Sequence, residues 1–138
     1  MDKRITEDPR QKGDIAEKLF ELECIRRCIP IYAPINSATR DDYVIVIDGE
    51  FKKVQIKYIS LSNSLISISF AKGQNGRDKV LKYTKDEIDL FFVYCPDLDE
   101  WYDIPMSAAA NARCLSLRTA PPKNNQTVGV KWAKDYVW

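Results

Sequence analysis

The sequence predicts an α/β fold in which a mixed β-sheet is flanked by helices, and three observations predict it. Asp48-Gly49 separates two apolar runs, 42–48 and 51–59, and Asp-Gly in that setting is a strong hairpin signal. A helical stretch rich in apolar residues precedes the hairpin over 7–29. A continuous apolar run, Leu90 to Cys95, follows it as a central strand. Helix, hairpin, strand, helix and strand together make an α/β protein with a mixed sheet.

In order, the helix over 7–29 starts at Asp8-Pro9 or Asp14 and closes before Pro30, because the residue preceding proline avoids the α region. Its apolar positions cover most of the circumference, which predicts heavy burial. An extended piece at 31–35 is interrupted by Pro34, and 36–41 is a polar loop. After the hairpin, 64–70 alternates with Ile66, Ile68 and Phe70 inward, as a third strand does. Residues 72–82 form a loop bearing Gly and Lys, and Thr84 caps a short helix to about Asp89. Pro96 to Asp99 turns the central strand into another at 101–104. A helical stretch at 107–112 and a last strand at 114–117 follow. From Pro121 to Trp138 the chain is polar, then aromatic.

A length of 138 residues suits one domain with a real hydrophobic core. Hydrophobic content of 45% and charged content of 30% describe a globular protein, and no apolar run approaches the ~20 residues of a membrane helix. The start, MDKRITEDPR, has no apolar segment of the secretory kind, so an intracellular, cytoplasmic protein without a membrane is expected. Cys24 and Cys28 are spaced i, i+4. With no histidine and no second close cysteine pair, the four cysteines (with Cys95 and Cys114) read as buried free thiols. The missing histidine also excludes Ser-His-Asp triads, histidine general bases and ββα-metal nucleases. A net charge of +1 gives no general sign of nucleic-acid binding. Acids gather at 86–103 while lysines and an arginine crowd the middle, so one basic face is possible.

Alternation along the second hairpin strand puts Gln55 and Lys57 on one face and Val54, Ile56 and Tyr58 on the other. With Asp42 at the root of the first strand, that face gathers an acid, an amide and an ammonium. Phosphodiester cleavage needs a hard cation to polarise the phosphate and to supply hydroxide at neutral pH. Asp42, the amide oxygen of Gln55 and the Ile56 carbonyl are oxygen ligands of the type Mg²⁺ takes. Lys57 can steer water and stabilise charge developing on phosphate. On pattern alone, a strand with a solvent-facing glutamine and lysine accounts for the same residues. On a helical wheel Glu17 falls inside the apolar arc and Glu21 nearer its margin. A carboxylate aimed at a core needs a partner or a cation, so Glu17 is the second candidate acid.

Glu17 within Gly13-Asp14-Ile15-Ala16-Glu17-Lys18-Leu19-Phe20, then Asp42, then Gln55-Ile56-Lys57, resembles the PD-(D/E)XK nuclease superfamily over roughly 12–118. Asp48-Gly49, Lys82-Tyr83-Thr84 and Asp89 to Tyr94 are similar to its branch of cyanobacterial group I intron homing endonucleases. The resemblance implies a restriction-endonuclease-like core at 1–118, with 119–138 as an extension for DNA contact or oligomerisation. It implies Mg²⁺, with Mn²⁺ as a substitute, held by Asp42, Gln55 and the Ile56 carbonyl. Glu17 assists through the metal shell and Lys57 activates water, leaving 5′-phosphate and 3′-hydroxyl ends. Most of the superfamily has Glu or Asp where this chain has Gln55.

The expected function is site-specific intron homing through a double-strand break. One site cuts one strand, so at least a homodimer is required, and the branch assembles as homotetramers. Assembly is expected at Trp101 to Leu117 and the aromatic tail; a tail docked on its own domain is the other reading. Expected contacts to double-stranded DNA are Lys72, Arg77, Lys79, Lys82, Lys123, Asn125, Gln126 and Lys131. A Holliday-junction resolvase-like nuclease and a non-catalytic DNA-binding module on a decayed nuclease fold are the alternatives.

Overall fold

The computed structural model describes residues 8–72, 81, 82, 84–109, 113–126 and 128–138. Helix α1 (Pro9–Arg26) is capped by Asp8, whose carboxylate accepts from the Arg10 N–H at 2.9 Å, with Pro9 in the first turn. It ends before Pro30 is reached. Cys28 turns left-handed (φ 55°) and donates to the Ile25 carbonyl, while the Ile29 N–H reaches the Cys24 carbonyl at 2.8 Å. This is a Schellman closure, and it stops the predicted 7–29 helix at Arg26. The helix is also less buried than its composition predicts. Ala16, Phe20 and Cys24, spaced by four, form one buried stripe, whereas Leu22 and Ile25 are exposed.

The main sheet has five strands in the order β1-β2-β3-β7-β8. These are β1 (Ile31–Tyr32), β2 (Tyr43–Ile47), β3 (Glu50–Tyr58), β7 (Leu90–Cys95) and β8 (Glu100–Pro105). β2 and β3 form the predicted hairpin, with Tyr43 opposite Val54 and Ile47 opposite Glu50. Asp48 (φ 51°) and Gly49 (φ 78°) both take the left-handed conformation a tight two-residue turn demands. β3 pairs with β7 in parallel and the other neighbours are antiparallel, so the sheet is mixed as expected. One face packs on α1, where Phe20 meets Tyr43, Phe92, Trp101 and Trp138 at ring-centroid distances of 4.8–5.8 Å.

The other face carries a second sheet, β10-β9-β4, built from β4 (Leu65–Ser69), β9 (Cys114–Arg118) and β10 (Lys131–Trp132). Ile66, Ile68, Leu115 and Leu117 close over Phe91, Val93, Tyr102 and Ile104. The apolar run of β7 is thereby buried on both faces, which explains its lack of alternation. The ends of the predicted 72–82 loop pair as a ribbon, β5 (Ala71–Lys72) with β6 (Leu81–Lys82). The helix expected from Thr84 is a single turn, in which the Glu87 and Ile88 N–H groups share the Thr84 carbonyl. Helix α2 spans Met106–Ala109. The aromatic tail docks on its own subunit. The Trp138 N–H donates to the Trp101 carbonyl at 3.0 Å, and the Arg27 guanidinium lies 4.0 Å over its ring.

Two of the four cysteines depart from the expected burial: Cys28 and Cys114 are exposed, while Cys24 and Cys95 are buried and all four are free. Burial pushes the Cys24 thiol up to about 12, so it serves packing rather than ligation. Among the described residues no helix is long and apolar enough to cross a membrane.

Candidate active site

β2 begins at Tyr43, opposite Val54, so from Gln55 to Tyr58 β3 stays paired with β7 but has no β2 residue on its other side. Asp42 sits at the resulting step. Its own N–H is fixed to the Val54 carbonyl at 2.9 Å. Its Oδ2 accepts from both Gln55 Nε2 and the Ile56 N–H, each at 2.8 Å. The acid, the amide and the lysine strand are therefore brought together as the alternation predicts. A strand residue sends its N–H and C=O to one side, so the Ile56 carbonyl also faces the Asp42 edge.

Asp42 and Lys57 are opposite charges that burial penalises and that favour one another. Burial holds the Asp42 carboxyl above its usual range, against the pull of the Ile56 N–H and the Lys57 ammonium. Burial pushes Lys57 down, and the Asp42 charge restores part of the loss. The Lys57 Nζ lies 5.8 Å from the Phe91 ring centre, on the same sheet face as Phe91 and Val93.

α1 supplies the remaining acid. Glu17 is half-buried, and its carboxyl is raised by burial first and then by the Asp42 charge. Glu21 is occupied elsewhere: it accepts from the Tyr43 hydroxyl at 2.6 Å and from Lys18 at 3.0 Å, and the Tyr43 bond lowers its pKa. The Tyr43 hydroxyl also lies 3.5 Å from the Glu17 carbonyl. A strand residue thus ties α1 beside Asp42, a link that no sequence pattern announced.

The loop carrying Asp42 is fastened at a second place. Arg40 pairs with Glu87 at 2.8 Å, and the Lys53 ammonium meets the Asp86 carbonyl. Asp89 and Lys53 exchange backbone and carboxylate bonds at 2.8 Å. Lys53, which alternation presents as an ordinary surface lysine, therefore braces the site.

The donors suit a hard cation in part. Asp42 and the Ile56 carbonyl offer oxygens at one edge, but Gln55 turns its nitrogen towards Asp42 and must rotate its amide to offer oxygen. Among the described residues no group of three or more His, Cys, Asp or Glu side chains is arranged so that it could hold a metal ion, in keeping with glutamine at position 55. Of the expected DNA contacts, Lys123, Asn125, Gln126 and Lys131 are exposed, and Lys131 lies in β10 of the second sheet. Lys72 and Lys82 are placed by backbone only, on the β5–β6 ribbon. Arg77 and Lys79 lie outside the described residues.

A family model for PD-(D/E)XK endonucleases matches residues 7–138. The chain belongs to the PD-(D/E)XK endonuclease family. It is a nuclease of that type, with DNA as the substrate the family implies. Among solved structures, a bacterial homing endonuclease, I-Ssp6803I, matches 93% of this chain and 87% of its own length. The TM-score is 0.74 and the identity 17%, a likeness of fold. No curated protein matches the chain. Divalent metals are general to PD-(D/E)XK nucleases.

Proposed function

We propose that this protein is a Mg²⁺-dependent, site-specific homing endonuclease that makes a double-strand break in DNA. The observation that carries the reading is Asp42, held by the Gln55 amide and the Ile56 N–H at 2.8 Å beside the half-buried Lys57. An endonuclease family membership and a fold shared with a homing endonuclease support it.

Asp42 and the carbonyl of Ile56 would hold the cation, with the Gln55 amide oxygen as a neutral third ligand and Glu17 acting from the helix. A bound divalent ion polarises the phosphate and lowers the pKa of water there. The chain's own residues do the rest. The Ile56 N–H fixes where Asp42 stands and Tyr43 ties the helix that carries Glu17, so the Gln55 amide is the group that must turn when the cation is held. Lys57, poorly solvated, places an ammonium where charge develops on the phosphate and orients the attacking water. The expected ends are 5′-phosphate and 3′-hydroxyl. One subunit carries one site, so cutting both strands requires at least two copies; a tetramer is the assembly proposed.

The test is incubation with a library of linear duplexes and Mg²⁺, followed by sequencing of the cut ends. Recurrent cuts at one site support the proposal, and cleavage confined to four-way junctions would favour a resolvase. Gln55 favours a second reading, a non-catalytic DNA-binding module, which predicts binding with no metal-dependent cutting of either substrate.

A further inference from the structure

The small net charge conceals a sharp segregation. No Asp or Glu occurs in 51–77 or in 104–134, and these stretches hold ten Lys and Arg. The rest of the chain holds eleven Lys and Arg against all 20 Asp and Glu, so the two parts carry +10 and −9. The fold gathers much of the acid-free chain into one body, because β4, β9 and β10 all lie within it.

The outer face of that sheet has a particular make-up. Ile66, Ile68, Leu115 and Leu117 point inward, which turns Ser67, Ser69 and Ser116 out to solvent. Ser67 stands opposite Ser116 with the hydroxyls 3.5 Å apart, and Leu65 stands opposite Arg118. At that end an open cavity of about 760 Å³ is lined by Asn63, Ser64, Arg118, Lys123 and Asn124, among others. A neighbouring hollow adds Gln126 and Lys131 to Ser116 and Arg118. Among the described residues, Arg118, Lys123 and Lys131 form no ion pair. Glu100, which lines an adjacent hollow with Arg118, is engaged by the Tyr102 hydroxyl at 2.9 Å.

We propose that the phosphate backbone of duplex DNA lies across the outer face of β4, β9 and β10. A floor of small hydroxyls allows close approach and donates to phosphate oxygens, and cations around it release counterions on binding. An apolar partner would find no floor to bury, and three strands that carry bases but no acid select a polyanion. The second sheet packs on the face of the main sheet that Gln55 and Lys57 share with Phe91 and Val93. Arg118, Ser67 and Ser116 are new contacts beyond Lys123 and Lys131, and their role is positioning without base readout. The proposal rests on the nuclease reading and names the surface that serves it.

The test uses the full chain, a fluorescent duplex of random sequence and no divalent metal, with affinity measured against salt. Lys123→Ala/Lys131→Ala alters two exposed side chains, so folding is preserved and melting is unchanged. Affinity should fall roughly tenfold, and the slope of log K against log salt should drop by about 2, one per phosphate contact. Arg118→Ala should act in the same direction. Arg10→Ala/Arg26→Ala, two exposed arginines of α1, removes equal charge and should leave affinity within about twofold. Equal weakening by that control, or an unchanged slope in Lys123→Ala/Lys131→Ala, overturns the proposal. A protein that binds through this face yet never cuts with metal sinks the nuclease reading alone. One that cuts while Lys123→Ala/Lys131→Ala binds normally sinks the face alone.

Discussion

Replacing Gln55 by glutamate restores the acid most of the superfamily has, and the geometry sets what that costs without metal. The Gln55 Nε2 lies 2.8 Å from Asp42 Oδ2, so Gln55→Glu exchanges a charge-assisted hydrogen bond for two facing carboxylates. Two unit charges at that separation repel by roughly 6 kcal/mol at an effective dielectric of about 20. Protonation caps the penalty. Protonating a carboxyl at pH 7 against an ordinary pKa of about 4.3 costs roughly 3.5 kcal/mol, after which the acid can donate to Asp42 as the amide did. The expected loss is therefore about 2–3.5 kcal/mol in chelator at pH 7, roughly 6–12 °C in Tm for a domain this size. The assay is thermal melting at pH 7 and pH 5, with chelator or with Mg²⁺. The deficit should shrink at pH 5, where the shared proton comes cheaply, and Mg²⁺ should raise Tm more for the variant than for the wild type. Equal melting of the two proteins in chelator, with equal metal shifts, would refute the placement of Gln55 against Asp42.

Other predictions follow from neighbouring contacts. Trp138→Ala removes a ring packed on Phe20, Phe92 and Trp101 and should cost roughly 2–4 kcal/mol in denaturant unfolding; a cost under about 0.5 would show the tail does not dock. Cys28→Gly relieves a left-handed non-glycine residue at the end of α1 and should stabilise by about 0.5–1 kcal/mol, read as a higher urea midpoint at unchanged slope. The raised carboxyl of Asp42 binds its proton more tightly folded than unfolded, so this group adds stability as pH falls through its folded pKa towards its ordinary value. Wild type minus Asp42→Asn stability, in chelator, should therefore rise as pH falls from 7 towards about 4; a flat difference would contradict the desolvated site. Glu17→Gln should cut cleavage by at least about tenfold, whereas Glu21→Gln should spare it and lose the stability that its Tyr43 and Lys18 bonds supply above its ordinary pKa.

The hairpin was legible because Asp48-Gly49 demands a turn that only one backbone geometry supplies, and alternation then places Gln55 and Lys57 without further information. The parallel joining of β3 to β7 was not, since nothing local in Leu90–Cys95 names its partner strand. The second sheet escaped for a similar reason: Ile66 and Ile68 mark an inward face, but which sheet they close on is a long-range matter. The end of α1 was misplaced because Pro30 is visible in the sequence, whereas a left-handed Cys28 is not. Within the candidate site, residue types identified Asp42 and Lys57 as worth joining. The Ile56 N–H, the Tyr43 hydroxyl and the Lys53 brace act through backbone or through an ordinary-looking side chain, so composition carried no trace of them. Glu17 and Glu21 are separable on the helical wheel only by degree. Tyr43 separates them outright by occupying one.

The central claim is that Asp42 and Lys57 form a metal-dependent phosphodiesterase site. The direct measurement is single-turnover cleavage of the duplex selected from the library, by wild type, Asp42→Asn and Lys57→Ala, each with Mg²⁺ or chelator, alongside binding of the same duplex. The account predicts wild-type cutting only with Mg²⁺ and a loss of at least about 10²–10³-fold in both variants, with affinity retained within a few-fold. Wild-type cleavage rates in either variant, or cleavage by wild type in chelator, would contradict it.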